Sequence, residues 1–170
     1  MPFAYTRHTI PNGIAGTHAT VREIVRLIRQ GTQNAQARLA AVEAVRNCPW
    51  KDKRAEAEAI FNWIRANIRF TYDPEGAELL QDVEAILRYR ASDCDDMVIL
   101  GGSMLRSVGV PVRIVIIASD PSAPESFNHI YLQTETRPGS WTGFDPSVID
   151  SRVGWEPPRF TRKEIFPIED

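Results

Sequence analysis

Three residues of this sequence carry side chains suited to covalent catalysis: Cys94, His129 and Asp145. A cysteine thiolate attacks carbonyl carbon. An imidazole takes the thiol proton and returns it to the leaving group. A carboxylate fixes the imidazole tautomer and steadies the imidazolium. Each residue alone has a plainer explanation. Most free cysteines are small core residues, strand histidines usually pack or face water, and Asp before Pro is an ordinary turn. What links the three is their order and the elements on which they fall.

Cys94 lies in Ser92-Asp93-Cys94-Asp95-Asp96, directly before the apolar run Met97 to Val108. Ser92 and Asp93 are both good N-caps, each with an aspartate three residues on, close to a capping box. Gly109 and Pro111 supply the stop. The run is apolar around most of the helix circumference, which predicts a central, buried helix. Gly101 and Gly102 leave room for a neighbour to pack closely. A cysteine in the first turn meets unpaired N–H groups and the positive end of the helix dipole, and both favour a thiolate. The flanking aspartates act the other way. An imidazolium beside Cys94 is expected to outweigh them.

The elements that would deliver His129 and Asp145 follow. Val112 to Ala118 is a β-branched run and predicts a buried strand. Asp120 to Glu125, with Pro121 and Pro124, is a loop. Asn128 to Thr134 alternates, with His129 and Tyr131 on one face and Ile130 and Leu132 on the other. A turn at Pro138-Gly139 leads to a strand over Trp141 to Phe144, ended by Asp145-Pro146. Antiparallel neighbours joined by so short a turn bring His129 and Asp145 together. His8 and His18 lie in the N-terminal region and look unrelated.

Upstream the texture is helical. Residues 1–16 read as extended and turn-rich. Thr17 or Thr20 is positioned to cap a helix through Val21, Ile24, Val25 and Ile28, ended by Gly31. A second helix is expected from Asn34 to Asn47 with Leu39, Val42 and Val45 inward, and a third from Asp52 to Asn67 with Ile60, Phe61, Ile64 and Ile68 aligned. Trp63 is read as packing. Arg69 to Pro74 is a short extended exit, followed by a short helix over Asp82 to Tyr89. Helices first and strands later is an α+β order. Residues 1–54 form the N-terminal extended segment and helices, 55–150 the core and 151–170 an extended tail, all within one compact domain. The tail, with Trp155, Pro157-Pro158, Phe160, Ile165, Phe166 and Ile168, reads either as a strap over its own domain or as an arm that docks on a partner.

The ordered segments Tyr89-Arg90-Ala91-Ser92-Asp93-Cys94-Asp95-Asp96, Leu105 to Arg113, His129-Ile130-Tyr131 and Trp141-Thr142-Gly143-Phe144-Asp145-Pro146 resemble the transglutaminase-like branch of the papain-like cysteine enzymes. The lead-in from Phe61 to Pro74 fits as well, so the resemblance covers about residues 55 to 148. It implies an α+β core with cysteine at a helix N-terminus and histidine and aspartate on adjacent strands. It also implies acyl transfer on amides through a thioester, with Cys94 as nucleophile, His129 as base and Asp145 as orienter. Many relatives have glycine where Ser92 stands and His-Ala-Trp in place of His129-Ile130-Tyr131. The Cys94 backbone N–H is the natural oxyanion donor, and a second donor is sought near Tyr72 or Asn128. The N-terminal helices, including Gly16-Thr17 and Val21 to Ile28, resemble a narrower group of such proteins encoded by tailed phages and prophages. That resemblance implies a morphogenesis, tail or virion component.

Bulk properties narrow the alternatives. A chain of 170 residues, 43% hydrophobic and 25% charged, fits one globular domain with a real core. A net charge of −2 offers no basic footprint for nucleic acid. No run approaches the ~20 apolar residues of a membrane span, and Met1 to Ile10 lacks a signal-peptide core. A cytoplasmic location is therefore the default, the host cytoplasm or a virion if phage-encoded. Cys48 and Cys94 do not make a disulfide framework. Asp93, Cys94, Asp95 and Asp96 crowd one turn without zinc spacing, so no metal or cofactor is expected. The expected partner is a peptide or amide substrate, with hydrolysis favoured over cross-linking. The other reading, of a different class, is a structural phage tail or assembly protein on the same fold with a dormant site, its tail binding other structural proteins.

Overall fold

An apolar run such as Met97–Leu105 needs cover on every side, and the rest of the chain is arranged to provide it. The computed structural model describes residues 13–72 and 79–169. Helices α1 (Ile14–Thr32), α2 (Ala35–Val45) and α3 (Lys53–Asn67) come first. The short strand β1 (Arg69–Phe70), helix α4 (Val83–Tyr89) and the short strand β2 (Ala91–Ser92) follow. Helix α5 (Cys94–Ser107) then leads into β3 (Val112–Ala118), β4 (His129–Arg137), β5 (Ser140–Phe144) and β6 (Arg162–Pro167). The last four strands form an antiparallel sheet in the order β5-β4-β3-β6. This is the predicted α+β architecture, with α5 held between the other helices and the sheet. No helix among the described residues is long and apolar enough to cross a membrane.

Every residue from Asp96 to Leu105 is buried. Two glycines let the neighbours in. A Cβ on Gly102 would meet Ile28 of α1 at 2.9 Å, and one on Gly101 would meet Phe144 of β5 at 3.0 Å. The close packing expected at both positions is thus used, by a helix on one side and the sheet on the other. The inward faces of β3 and β4, with Ile114, Ile116, Ile130 and Leu132, join this core. Val115, Ile117 and Tyr131 form a separate buried cluster on the opposite face of the sheet.

Several boundaries differ from the sequence expectation, each for a physical reason. Helix α1 begins at Ile14, behind Gly13, rather than behind Thr17 or Thr20. Gly31 does not end α1; a Cβ there would lie 2.1 Å from Ser103 Oγ, so its role is close contact with α5. In α2 the buried stripe is Ala37, Ala40 and Ala41. Leu39 and Val42 face outward, 70% and 49% exposed, because the alanine face permits the closer helix approach. Of the extended segment expected over residues 1–16, residues 14–16 are helical instead, as the first residues of α1, while residues 1–12 and the turn at Asp73-Pro74 lie outside the described residues.

The tail is more than a strap. Arg162–Pro167 becomes the edge strand β6, pairing Ile114 with Phe166 and Ile116 with Glu164. Without it β3, whose side chains are buried on both faces, would be an open edge. The ends are tied to the helices: His18 Nε2 lies 2.7 Å from Glu164 Oε2, Arg29 donates to the Glu169 carbonyl at 2.7 Å and Arg106 to the Ile168 carbonyl at 3.0 Å.

Candidate active site

Asp93 starts α5 as its N-cap, its carboxylate accepting from the Asp96 N–H at 3.0 Å. Cys94 is therefore the first helical residue, where its N–H has no acceptor within the helix. Upstream, Arg90 closes α4 in the left-handed region at φ 55°, a conformation that costs a non-glycine residue about 1–2 kcal/mol. The turn sends the chain into β2, which pairs in parallel with β1. Thr71 N–H donates to the Ser92 carbonyl at 2.9 Å and Gln81 Nε2 to the Ala91 carbonyl at 3.2 Å, so the lead-in to Cys94 is fixed on both sides. Ser92 is buried, and its Oγ has no hydrogen-bond partner among the described residues.

The acidic residues around the thiol have separate tasks. Asp93 caps the helix. Asp96 is buried and accepts from Gln81 N–H at 2.8 Å and Gln81 Nε2 at 2.5 Å, anchoring the start of α4 to α5. Asp95 accepts the thiol itself, Sγ to Oδ1, at 3.3 Å.

His129 opens β4 and pairs with Ile117 of β3. The register that sets Leu132 opposite Phe144 places Asp145 one residue beyond, beside Tyr131 and on the face of His129. His129 Nε2 and Asp145 Oδ2 are 2.6 Å apart. Asp145 is 2% exposed and the His129 side chain 21%. The other Asp145 oxygen accepts from Ser147 N–H at 3.2 Å and Ser147 Oγ at 2.6 Å. This Asx turn was written in the local spacing Asp145-Pro146-Ser147, and sequence reasoning passed over it. With Nε2 held by Asp145, Nδ1 is the ring nitrogen left for proton exchange.

Cys94 stands close enough to Asp145 for that carboxylate to act on its charge. The expected dominance of an imidazolium over the aspartates is not what the geometry gives. Among the described residues no hydrogen bond joins Cys94 to His129; the thiol is turned to Asp95. Burial raises the thiol pKa well above its ordinary range, the charges of Asp95 and Asp93 raise it further, and the Asp95 hydrogen bond and Asp145 add to this. The resting group is a protonated thiol. The chemistry this allows is proton removal by a base in concert with attack, rather than attack by a standing thiolate.

This carries a sign that can be measured. Replacing Asp95 with Asn removes the nearest negative charge, so the thiolate becomes easier to form. Iodoacetamide should alkylate wild-type Cys94 slowly at neutral pH compared with a free thiol of pKa ~8.5, and Asp95→Asn faster at the same pH. Equal rates in the two proteins would remove Asp95 from the account of the thiol.

The two candidate oxyanion residues are placed differently. Asn128 is exposed, with Oδ1 accepting from Ser119 N–H at 3.1 Å and Nδ2 donating to Ser119 Oγ at 2.7 Å. Its amide closes the β3–β4 loop. Tyr72 is 87% exposed and its ring packs edge-on against Phe70 at 5.0 Å. It stands two residues past the strand that pairs with β2, at the rim rather than inside.

The family model of the transglutaminase-like superfamily matches residues 40–146, well over half of the chain. The chain belongs to the transglutaminase-like superfamily. Cys94, His129 and Asp145 all fall inside that match, which stops one residue past Asp145; β6 lies beyond it. Solved structures share the superfamily fold at low identity. A candidate protease from Parabacteroides distasonis superposes with a TM-score of 0.62 at 14% identity, over 85% of this chain and 28% of its own. A candidate cysteine protease from Cytophaga hutchinsonii gives 0.54 at 17%, over 85% of this chain and 51% of its own. LapG of Legionella pneumophila gives 0.52 at 19%, over 78% of this chain and 75% of its own. The chain thus spans about a quarter to a half of the first two. No curated protein matches it in sequence.

Proposed function

We propose that this member of the superfamily is a cysteine-dependent amide hydrolase or acyl transferase, a peptidase or amidase, working through Cys94, His129 and Asp145. The observation that carries the reading is the 2.6 Å bond from His129 Nε2 to Asp145 Oδ2, with Asp145 near enough to Cys94 for its charge to act on the thiol. In this scheme the Cys94 thiol turns from Asp95 and gives its proton to His129 Nδ1 as Sγ attacks the amide carbon. Asp145 steadies the imidazolium, and the Cys94 N–H faces the oxyanion. The C–N bond then breaks and the departing amine takes the proton from His129. The thioester left on Cys94 is cleared by water, giving an acid, or by a second amine, giving a new amide. Hydrolysis is favoured because no feature among the described residues marks an amine-acceptor site. The substrate class is a peptide or other amide, and the proposed location is the cytoplasm.

The test is acylation by p-nitrophenyl acetate, followed by mass spectrometry of the intact chain. Wild type is expected to acquire one acyl group on Cys94, sensitive to hydroxylamine, and Cys94→Ala none. Absence of acylation on a folded wild type would sink the proposal.

A second reading is supported by the Cys94–Asp95 bond and the raised thiol. Here the site is dormant, and the chain is a structural or assembly protein on the same fold. The likeness of its N-terminal helices to phage-encoded relatives makes a phage tail or virion the setting for that reading. Size-exclusion chromatography with light scattering separates the two. A monomer with a reactive thiol belongs to the first, and a defined ring or stable complex with an inert thiol to the second.

A further inference from the structure

The face of β4 that carries His129 continues along the strand as Tyr131 and Gln133, both buried. The Tyr131 ring lies nearly parallel to the His129 imidazole, 21° between planes and 5.9 Å between centroids. Its hydroxyl donates to Glu156 Oε2 at 2.7 Å. Gln133 Nε2 donates to Glu156 Oε1 at 2.7 Å, while Gln133 Oε1 accepts from Arg113 Nε at 2.7 Å. Lys163 of β6 donates to Glu156 Oε2 at 2.7 Å. Both oxygens of one carboxylate are thus engaged by three side chains from two strands, β4 and β6. Burial pushes the Glu156 carboxyl up, but the bonds from Lys163, Tyr131 and Gln133 and the Lys163 charge outweigh it and hold it below its ordinary range. It is ionised at neutral pH.

Glu156 reaches this place by a close crossing. The chain at Trp155–Glu156 passes directly over Gly143 of β5, and Gly154 N–H donates to the Gly143 carbonyl at 2.8 Å. Packing alone does not call for such a network. A phenylalanine at 131 would fill nearly the same volume without a hydroxyl that must be satisfied when buried.

We infer that Tyr131 and Glu156 are positioning residues for His129: Glu156 clamps the Tyr131 ring, and that ring keeps the imidazole turned toward Asp145. The clamp comes from the segment after Asp145, beyond the superfamily match. Its consequence for turnover rests on the acyl-transfer reading above; the clamp itself does not.

The experiment compares full-length wild type, Tyr131→Phe and Glu156→Gln. The first readout is the His129 Nε2–H proton by NMR, which reports the bond to Asp145 directly. Wild type should show a protected downfield imidazole proton assigned to His129 by its absence in His129→Ala, since His18 Nε2 also lies 2.7 Å from a carboxylate, and both variants should lose the His129 protection while remaining folded by circular dichroism. The second readout is the acylation rate with p-nitrophenyl acetate, expected to fall on the order of 10- to 100-fold through misplacement of the base. A merely structural role would lower the melting temperature and leave the imidazole proton as in wild type, and that result overturns the inference. Should Glu156→Gln fail to fold, Tyr131→Phe, which removes a single oxygen, decides alone. Loss of protection in the variants with no acylation of wild type leaves the clamp standing and removes the acyl-transfer reading. Acylation of wild type with protection kept in both variants does the reverse.

Discussion

Asp145→Ala is expected to slow turnover at Cys94 on the order of 10³- to 10⁴-fold, the scale seen when a triad loses its carboxylate. The carboxylate is nearly fully buried and divides its oxygens between two partners, His129 Nε2 at 2.6 Å and the Ser147 turn at 2.6 and 3.2 Å. Alanine leaves the imidazole free to rotate and to change tautomer. With the proton on Nδ1, His129 cannot accept the thiol proton. Because the turn also loses its acceptor, Asp145→Asn is the paired variant. Its single oxygen can serve His129 or the Ser147 N–H, not both. If it turns to His129, part of the activity survives and the turn is loosened. If it turns to Ser147, the amide N–H₂ forces the wrong tautomer and activity falls as in Asp145→Ala. Single-turnover acylation, with circular dichroism for the fold, measures both. Wild-type rates in the two variants would end the role assigned to the His129–Asp145 pair.

Gly143→Ala should be the most damaging single-methyl change in the sheet. The added Cβ would sit 2.2 Å from the Trp155 carbonyl oxygen and 2.6 Å from Glu156 Cγ. The first of these is backbone, so no rotamer change relieves it. Glycine is needed for this close approach and not for any unusual backbone angle. Overpacking of a tight site costs typically about 1–3 kcal/mol, and here the upper end is expected. The crossing must lift, which also frees Glu156 from Tyr131, Gln133 and Lys163. Urea denaturation should show a clearly lowered midpoint with an unchanged slope. A midpoint equal to wild type would mean that the 154–156 crossing is not tightly held on β5.

Much of the architecture was legible because it is local. The α5 boundaries follow from a capping aspartate and a terminal glycine, and β3 from a β-branched run. The turn at Pro138-Gly139 pairs β4 with β5 without long-range information, which is why the His129–Asp145 contact could be anticipated. Helix α2 was misread on its inward face because hydrophobicity favoured Leu39 and Val42. Close helix packing favoured Ala37, Ala40 and Ala41 instead, and nothing local reports the distance to a neighbouring helix. The Ser147 turn lay in plain view two residues after Asp145.

By itself, the sequence determined the α+β order, the buried helix that opens at Cys94, and the strand face shared by His129 and Tyr131. These follow from periodicity, caps and turns, all short-range properties of the chain. Only the tertiary structure decided where the thiol proton rests. That depends on burial and on the placement of Asp95 and Asp145, neither of which spacing reveals. It alone decided that Arg162–Pro167 closes the sheet beside β3. It also decided that Glu156, with no local signal of any kind, reaches Tyr131 across 25 residues of chain. Contacts between distant segments arise from how whole surfaces fit together, and they are fixed only when the chain has folded.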